Sequence, residues 1–344
     1  MDAIPLPRNL LRKAGEFLFQ PAAAVRSCPL RAGSHLRPSA FCESTLLVVL
    51  AVLPLAAGCS HKPPEAAAAG APGAVAVHTD GIGRRVVLQA HPQRIISLAP
   101  SVTEVICLLG ADDRLIGVTE QCVWPEAVRR KPKMGTLLTP DYEAILAARP
   151  DLVIASTAGN DRAAVHQLAQ LGLPVYVTAP RSVDGIFETT LAIGRIADRA
   201  ADGERLVRQA KARLQEIRKR LAGLTPDRGF FITWFDPLLA PGRKTFENDI
   251  LALANVASIS ADSEEYYPRY SLEQVLAKKP DVILTVFHEG NPLPDLRYLA
   301  GWASLEAVRR GRVYVVSEVL QHPSPRFVDG VEELARKLHP ERFQ

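Results

Sequence analysis

The sequence predicts an α/β protein of two α/β lobes, each with a parallel central sheet, joined by a single long helix. Residues 143–155 and 273–285 support this prediction because they are copies of one unit, with Glu, Leu, Ala, Pro and Asp identical at matching places. Each copy is a short amphipathic helix ended by proline, followed by an apolar run typical of a buried parallel strand. One repeat at such a distance indicates two similar lobes with a cleft between them.

Length and composition are those of a globular protein with room for two cores. The chain has 344 residues, of which 47% are hydrophobic and 23% charged, and such a composition is not typical of disorder. The net charge is +4, and most of the excess lies in residues 1–58. The remainder is nearly neutral, so nothing favours nucleic-acid binding through a basic surface.

The N-terminal segment predicts export. Residues 46–58 form an apolar run that is too short for a membrane span and suits the hydrophobic region of a signal peptide. Leu55–Cys59 resembles a bacterial lipobox, which predicts a lipid anchor on Cys59. The alternative is an ordinary signal peptide beside an incidental cysteine. The Ala-, Pro- and Gly-rich stretch that follows is typical of a flexible tether.

Five parts make up the predicted chain. They are a signal peptide with an unusual N-terminal extension (1–58), a lipid-anchor tether (59–83), an N-terminal α/β lobe (84–190), an interlobe helix (191–224) and a C-terminal α/β lobe (225–344). Apolar residues recur at helical spacing from residue 192 to 221 and predict the interlobe helix. Asp202 and Gly203 mark a place where this long helix could break, and a hairpin of two helices is the alternative.

Alternation of strands and helices predicts the elements of both lobes. In the N-terminal lobe we expect strands at 86–88, 94–98, 115–119 and 175–177, and helices at 101–110 and 162–171. In the C-terminal lobe we expect strands at 229–234 and 313–316, and helices at 246–253 and 327–338. The patterns Ser101–Glu104 and Ser271–Gln274 predict capping boxes at helix starts.

Sequence motifs for catalysis and metal binding are missing. There is no GxGxxG, P-loop or GxSxG pattern, so we predict no catalytic residue and no enzyme. A thiol enzyme built on Cys122 would need a histidine partner, and a receptor for bare metal ions would need converging His and acidic ligands. The sequence has no motif for either. We therefore predict no metal site. Cys107, in an apolar helix, is expected to be a buried free thiol, although a disulfide with Cys122 stays open.

Four stretches resemble a known protein family. They are residues 94–104, 149–154, 271–276 and 324–326, and they are similar to the substrate-binding proteins of bacterial ABC importers for corrinoids, ferric siderophores and haem. The resemblance covers residues 84–340, and the loop at 120–125 is similar to that of the vitamin B12-binding members. It implies the fold of class III periplasmic binding proteins, with two lobes and one long backbone helix.

The resemblance also implies a function. Such a protein is a receptor in the periplasm or at the cell surface, here anchored to the membrane by lipid, and we expect a monomer without a cofactor. It captures a corrinoid such as vitamin B12 between its lobes and delivers it to an ABC permease and its ATPase. A ferric siderophore or haem is the alternative ligand. No nucleic acid is expected as a partner.

Ligand contacts are expected in the crevice at the carboxyl ends of the strands. Aromatic side chains suit a flat, bulky ligand, and Trp234 and Tyr267 match family positions with aromatic ligand contacts. Cys122 and His322 are either axial metal ligands of a chelate or plain contacts. The expected ligand-binding residues are Pro100, Ser101, Gln121, Cys122, Trp124, Leu137, Trp234, Phe235, Tyr267, Glu318 and His322.

Glu143 and Glu273 occupy matching places in the two copies of the repeat. Each lies in the first turn of a predicted helix, where a carboxylate gains about 0.3–1 kcal/mol from the helix dipole. The resemblance adds a second role, because in this family one glutamate per lobe pairs with arginines of the permease. We therefore expect both residues to dock the permease through contacts that weaken with salt.

Overall fold

The computed structural model describes residues 75–286 and 294–344. The predicted signal peptide, Cys59 and the tether up to residue 74 lie outside these ranges. Strand β1 (Val75–Thr79) pairs antiparallel with β2 (Arg85–Gln89). The predicted end of the tether at residue 83 is therefore wrong, because the chain is already hydrogen-bonded into a hairpin at residue 75. None of the helices within residues 75–286 and 294–344 combines the length and the hydrophobicity of a membrane-spanning segment.

A four-stranded parallel sheet forms the centre of the N-terminal lobe, in the order β4-β3-β5-β6. Its strands are β3 (Ile95–Ser97), β4 (Leu115–Val118), β5 (Leu152–Ser156) and β6 (Val175–Thr178). The helices are α1 (Pro100–Leu108), α2 (Tyr142–Ala147) and α3 (Arg162–Gln170). Alternate strand residues enter two different hydrophobic clusters, so both faces of the sheet are covered.

The C-terminal lobe repeats this arrangement in the order β8-β7-β9-β10. Its strands are β7 (Asp227–Ile232), β8 (Val256–Ser258), β9 (Val282–Val286) and β10 (Val313–Val316). Both sheets therefore read 2-1-3-4 when strands are counted along each lobe. The longer helices α4 (Val183–Ile196) and α5 (Ala200–Leu221) connect the lobes. The helices of the second lobe are α6 (Phe246–Leu253), α7 (Leu272–Lys278), α8 (Glu306–Arg309) and α9 (Phe327–Leu338). Single 3₁₀ turns occur at Asp112–Arg114, Glu126–Arg130, Leu296–Tyr298, Trp302–Ser304, Glu318–Gln321 and Pro340–Arg342.

Hydrogen bonds explain why the two copies of the repeat share an aspartate. Asp151 accepts hydrogen bonds from the backbone N–H groups of Gln93 (2.7 Å) and Arg94 (2.9 Å). Asp281 accepts one from the backbone N–H of Arg228 (2.9 Å). Each aspartate therefore ties the start of its own strand to the neighbouring strand, β3 in one lobe and β7 in the other. The shared aspartate has a structural role in both lobes.

Two helices, α4 (Val183–Ile196) and α5 (Ala200–Leu221), occupy the segment between the lobes. The prediction of one helix over 191–224 is wrong in its start, and the hairpin alternative describes the segment. The break occurs at Asp198, whose backbone is left-handed with φ of 56°, a conformation that ends a helix. Helix α5 has 22 residues and is the long helix of the described fold.

Both connecting helices run between the two cores. Ile186 of α4 lies in the core of the C-terminal lobe, and Ile193 lies in that of the N-terminal lobe. Helix α5 returns in the opposite direction, because Leu206 packs on the N-terminal core and Leu214 and Leu221 lie in the C-terminal core. The two lobes are therefore joined by buried apolar contacts along both helices.

Candidate functional site

Loops at the carboxyl ends of the two sheets face each other. Pro100 and Ser101 follow β3 and form the first turn of α1. Pro100 is half-buried and Ser101 is 6% exposed, so Ser101 offers little side-chain surface. Glu104, in the next turn of α1, contacts His322, which follows β10. This contact brings the carboxyl edge of one lobe against that of the other.

The loop after β4 carries four further candidates, which are Gln121, Cys122, Trp124 and Leu137. Gln121 is exposed, and its Oε1 accepts a hydrogen bond from the backbone N–H of Leu137 (2.9 Å), so these two residues lie together. Trp124 is half-buried. Buried Asn160, which we did not predict, donates hydrogen bonds to the carbonyl oxygens of Leu98 and Leu137 (both 2.8 Å). It therefore fixes this loop against the end of β3.

Cys107 and Cys122 are both free thiols, so the disulfide alternative is wrong. Cys122 is 1% exposed, and its Sγ lies 3.1 Å from the hydroxyl oxygens of Thr103 and Thr119. Its thiol therefore has no free face towards a ligand. Cys107 is half-buried, and burial raises the pKa of its thiol to about 12, so the thiol is protonated and unreactive at neutral pH.

Aromatic candidates of the C-terminal lobe differ in exposure. Trp234, after β7, and Tyr267, after β8, are 37% and 39% exposed. Phe235 is half-buried and packs on the core, with its ring centroid 5.8 Å from that of Trp302. Glu318 is exposed in the turn after β10. Trp234, Tyr267 and Glu318 thus present the larger accessible surfaces.

A buried carboxyl group holds the hydroxyl group of Tyr267. Glu247, in the first turn of α6, is 2% exposed, and its Oε1 accepts the Tyr267 hydroxyl at 2.7 Å. Its Oε2 has no hydrogen-bond partner in the described part of the chain. Burial raises the pKa of Glu247 to about 7, although the hydrogen bond from Tyr267 acts in the opposite direction. Tyr267 is therefore fixed at its polar end while part of its ring is exposed.

The pattern at Ser101–Glu104 is not a capping box. Helix α1 begins after Ala99 without a side-chain cap. Glu104 instead contacts the C-terminal lobe, where Nδ1 of His322 lies 2.9 Å from its Oε1 and Nη1 of Arg326 donates to the same oxygen at 2.7 Å. His322, a predicted ligand residue, thus uses one ring nitrogen in a contact between the lobes.

Glu143 and Glu273 are exposed in the first turns of α2 and α7. Asp141 caps α2 by accepting from the N–H of Ala144 (3.0 Å), and the predicted capping box of Ser271 is confirmed at α7. A hydrogen bond with Ser271 lowers the pKa of Glu273. Each helix precedes a parallel strand and runs antiparallel to it, so both glutamates lie at the carboxyl edges of their sheets.

No group of three or more His, Cys, Asp and Glu side chains able to hold a metal ion occurs within residues 75–286 and 294–344. An open groove of about 580 Å³ lies between α4, α5 and α6 and includes Phe187, Leu214 and Leu253 in its walls. None of the predicted ligand residues lines this groove. The predicted ligand residues lie instead in the segments at the carboxyl edges of the two sheets.

Comparison with known proteins identifies the family. A profile of the family described as periplasmic binding protein matches residues 95–320, which is more than half of the chain. The chain therefore belongs to the periplasmic binding protein family. Members of this family are non-enzymatic components of transport. The protein is accordingly an extracytoplasmic substrate-binding component of an ABC importer, which works with a permease and an ATPase.

Two relatives and two solved structures illustrate the likeness. The vitamin B12-binding protein of Vibrio cholerae serotype O1 is 32% identical over 248 residues, covering 72% of this chain and 89% of the relative. The crystal structure of periplasmic vitamin B12 binding protein BtuF of Vibrio cholerae matches with a TM-score of 0.63 at 31% identity, covering 74% and 99%. The ABC transporter substrate-binding lipoprotein YvrC of Bacillus subtilis is 28% identical, covering 77% and 86%. Periplasmic heme-binding protein RhuT from Roseiflexus sp. RS-1 matches with a TM-score of 0.65 at 25% identity, covering 73% and 99%. The predicted class III fold is confirmed by these structures.

Sequence reasoning missed the buried polar residues of the site. Glu104, Asn160 and Glu247 are all less than 5% exposed, and each holds another part of the site in place. Only Glu104 had a visible signal, because a charged residue inside an apolar helical run needs a buried partner. That partner lies in the other lobe, more than 200 residues away along the chain.

Proposed function

We propose that this substrate-binding protein captures a corrinoid such as vitamin B12 between its lobes and delivers it to the permease. The main support is that three aromatic residues lie on loops at the carboxyl edges of both sheets and are partly accessible to solvent, namely Trp124, Trp234 and Tyr267. Flat rings offer a macrocycle a large contact area at little cost in conformational entropy. The 32% identity to a vitamin B12-binding protein supports the same ligand class.

Polar residues around these rings suit the amide side chains of a corrinoid. The Oε1 atom of Gln121 accepts a hydrogen bond from the backbone N–H of Leu137, which leaves its Nε2 to donate to a ligand carbonyl. Exposed Glu318 supplies an acceptor for ligand amide N–H groups. The remaining proposed contacts are Pro100, Ser101, Leu137, Phe235 and His322.

Haem or a ferric siderophore is the second candidate ligand. The 25% identity to a heme-binding protein favours it, and so does the position of His322, whose Nδ1 is held by Glu104. A carboxylate on one ring nitrogen orients the other nitrogen, which is the arrangement that iron-ligating histidines use. Axial ligation would appear as a shift of the haemin absorption band, which His322→Ala would remove.

Titration of the purified full-length chain separates these ligands. Cyanocobalamin, haemin and a ferric hydroxamate siderophore are added in turn and followed by calorimetry and visible absorption. We expect saturation by cyanocobalamin at one site, with no response to the other two. Saturation by haemin alone would identify haem as the ligand. The absence of binding to all three compounds would refute the proposal.

Aromatic substitutions test the position of the ligand. Tyr267→Ala and Trp234→Leu should each weaken cyanocobalamin binding by about tenfold or more, because a stacked ring is worth on the order of 1 kcal/mol or more. Tyr298→Ala is the matched control, since Tyr298 is a tyrosine of the same lobe that is 82% exposed and is not among the proposed ligand contacts. Equal losses in Tyr267→Ala and Tyr298→Ala would contradict the proposed location.

The proposal includes two attachments. Glu143 and Glu273 dock the permease, one from each lobe, and their exposure in equivalent helix turns supports this role. A lipid on Cys59 anchors the protein to the membrane, and the name of the related lipoprotein YvrC supports it. Cys59→Ala should release the protein from the membrane fraction into the soluble periplasmic fraction or the medium. Membrane retention of that variant would argue against the anchor.

A further inference from the structure

Glu104 is a residue of the N-terminal lobe whose side-chain hydrogen bonds, among the described residues, all come from the C-terminal lobe. It lies in α1 and is 2% exposed. Its partners are His322, Ser324 and Arg326, which precede and open α9. A charged group so deeply buried is stable only when it is paired and hydrogen-bonded.

This single carboxylate accepts three hydrogen bonds. Its Oε1 lies 2.9 Å from Nδ1 of His322 and 2.7 Å from Nη1 of Arg326, and its Oε2 accepts the hydroxyl of Ser324. Burial alone would raise the pKa of Glu104, but the hydrogen bonds and charges of these three residues lower it. The carboxylate is therefore ionised at neutral pH and holds all three donors.

Arg326 makes a second contact, to the aromatic ring of Trp124. Its guanidinium carbon lies 4.0 Å from the centroid of the Trp124 ring, within the range of a cation–π contact. The Arg326 side chain is only 18% exposed, so little water competes for it. The contact crosses between the lobes, because Trp124 follows β4 and Arg326 precedes α9.

Net stability is not the main effect expected of such a network. The cost of removing charges from water offsets much of their attraction, so a buried ion pair contributes little to the free energy of unfolding. The effect expected of the network is instead on the orientation of its side chains. A planar guanidinium that is hydrogen-bonded to a buried carboxylate has few orientations, and an aromatic ring in contact with that guanidinium is restricted in turn.

We propose that Glu104 is an interlobe anchor, and that Arg326, held by Glu104, positions the ring of Trp124 for contact with the ligand. The orientation of a ligand-facing ring in one lobe is then set by the other lobe. The ligand role of Trp124 rests on the function proposed above. The anchor itself does not, since every contact that defines it is made between protein side chains.

The anchor is tested first on the ligand-free full-length protein. Glu104→Gln should speed amide hydrogen exchange in residues 322–328 by about tenfold or more, because a neutral amide has no charge to pair with Arg326 and holds it less strongly. Glu188→Gln, an exposed glutamate of α4, is the control and should leave this exchange unchanged. Unchanged exchange in Glu104→Gln would overturn the anchor.

Tryptophan fluorescence tests the positioning of the ring. Arg326→Lys keeps the positive charge but removes the planar group, so it should change the emission of Trp124. The same substitution in a Trp124→Phe background should have no effect on the emission of the remaining tryptophans. An emission change that persists in that background, or no change in either, would refute positioning, and circular dichroism confirms that each variant is folded.

Ligand affinity then tests the consequence. Cyanocobalamin and haemin are the probes, and Glu104→Gln and Arg326→Lys should each weaken binding of whichever probe the wild type takes by about tenfold. The double variant should be no weaker than either single one, since both act through one ring. Additive losses would overturn the coupling. If the wild type binds neither probe, the proposed function fails, while exchange and fluorescence still decide the anchor.

Discussion

Glu247 should make the stability of this protein fall as the pH rises through the range just below neutrality. The side chain is 2% exposed, and one of its oxygens has no hydrogen-bond partner among the residues described. Burial raises its pKa from the ordinary value of 4.5 to about 7. The folded state therefore holds a proton that the unfolded state has released between these two values.

The magnitude follows from the pKa difference. Below pH 4.5 both states are protonated, and the group has no effect on the free energy of unfolding. As the pH rises towards 7, stability falls by up to about 1.4 kcal/mol per pH unit, and above pH 7 the full cost is about 3 kcal/mol. Glu247→Gln removes the titration but keeps the shape of the side chain. The difference in stability, variant minus wild type, should therefore rise by about 3 kcal/mol between pH 4.5 and 8.

Urea unfolding at a series of pH values, followed by circular dichroism, measures this difference. A constant offset from the buried amide does not matter, because only the change with pH is read. Glu188→Gln is the control, since Glu188 is exposed on a helix, and its difference should stay flat. A flat or falling difference for Glu247→Gln would show that the carboxyl group is not held protonated by burial.

Three further predictions follow from the docking residues, the repeat and a close backbone contact. The double variant Glu143→Ala, Glu273→Ala should bind its ligand as the wild type does but fail to support ATP-dependent uptake in reconstituted vesicles; loss of ligand binding would contradict a docking role. Asp151→Ala should lower the free energy of unfolding by about 1.5–3 kcal/mol, because a carboxylate that accepts two backbone N–H groups is lost. Asp281 accepts one such hydrogen bond, so Asp281→Ala should lower the free energy of unfolding by less. Equal or negligible losses for the two variants in urea unfolding would refute this. Gly242→Ala should lower the free energy of unfolding by about 1–3 kcal/mol, because the added Cβ would overlap the carbonyl oxygen of Glu265. The control Gly185→Ala in α4 meets only ordinary contacts and should be neutral or stabilising by about 0.5–1 kcal/mol. A lower melting temperature for Gly185→Ala than for Gly242→Ala would contradict the close contact.

Local patterns predicted most of the regular elements. Helices α6 and α9 and strand β10 have the bounds expected from their apolar periodicity, because each buries one face against a core beside it. The break between α4 and α5 was misplaced because it depends on a left-handed Asp198. Nothing in helical periodicity marks such a residue, and Asp202 and Gly203 looked like better breaking points.

The predicted site is less complete, because exposure and pairing depend on which distant loops meet. Trp234 and Tyr267 keep accessible surface, whereas Cys122 is turned towards two threonine hydroxyls. Both kinds of residue look alike in sequence. Burial is a property of the packed loop, so composition alone does not separate a residue that faces a cleft from one that lies behind its wall.

The order of residues along the chain was enough to determine a duplicated α/β architecture, because helix and strand periodicity is a local property of the sequence and the repeated unit occurs in two copies. Its likeness to known importers also set the class of protein. Only the folded chain decided that Glu104 belongs with His322 and Arg326 and that Glu247 lies under Tyr267. The physical reason is that a buried carboxyl group pairs with a group that lies near it in space, and for Glu104 that proximity arises only when both lobes have packed on α4 and α5.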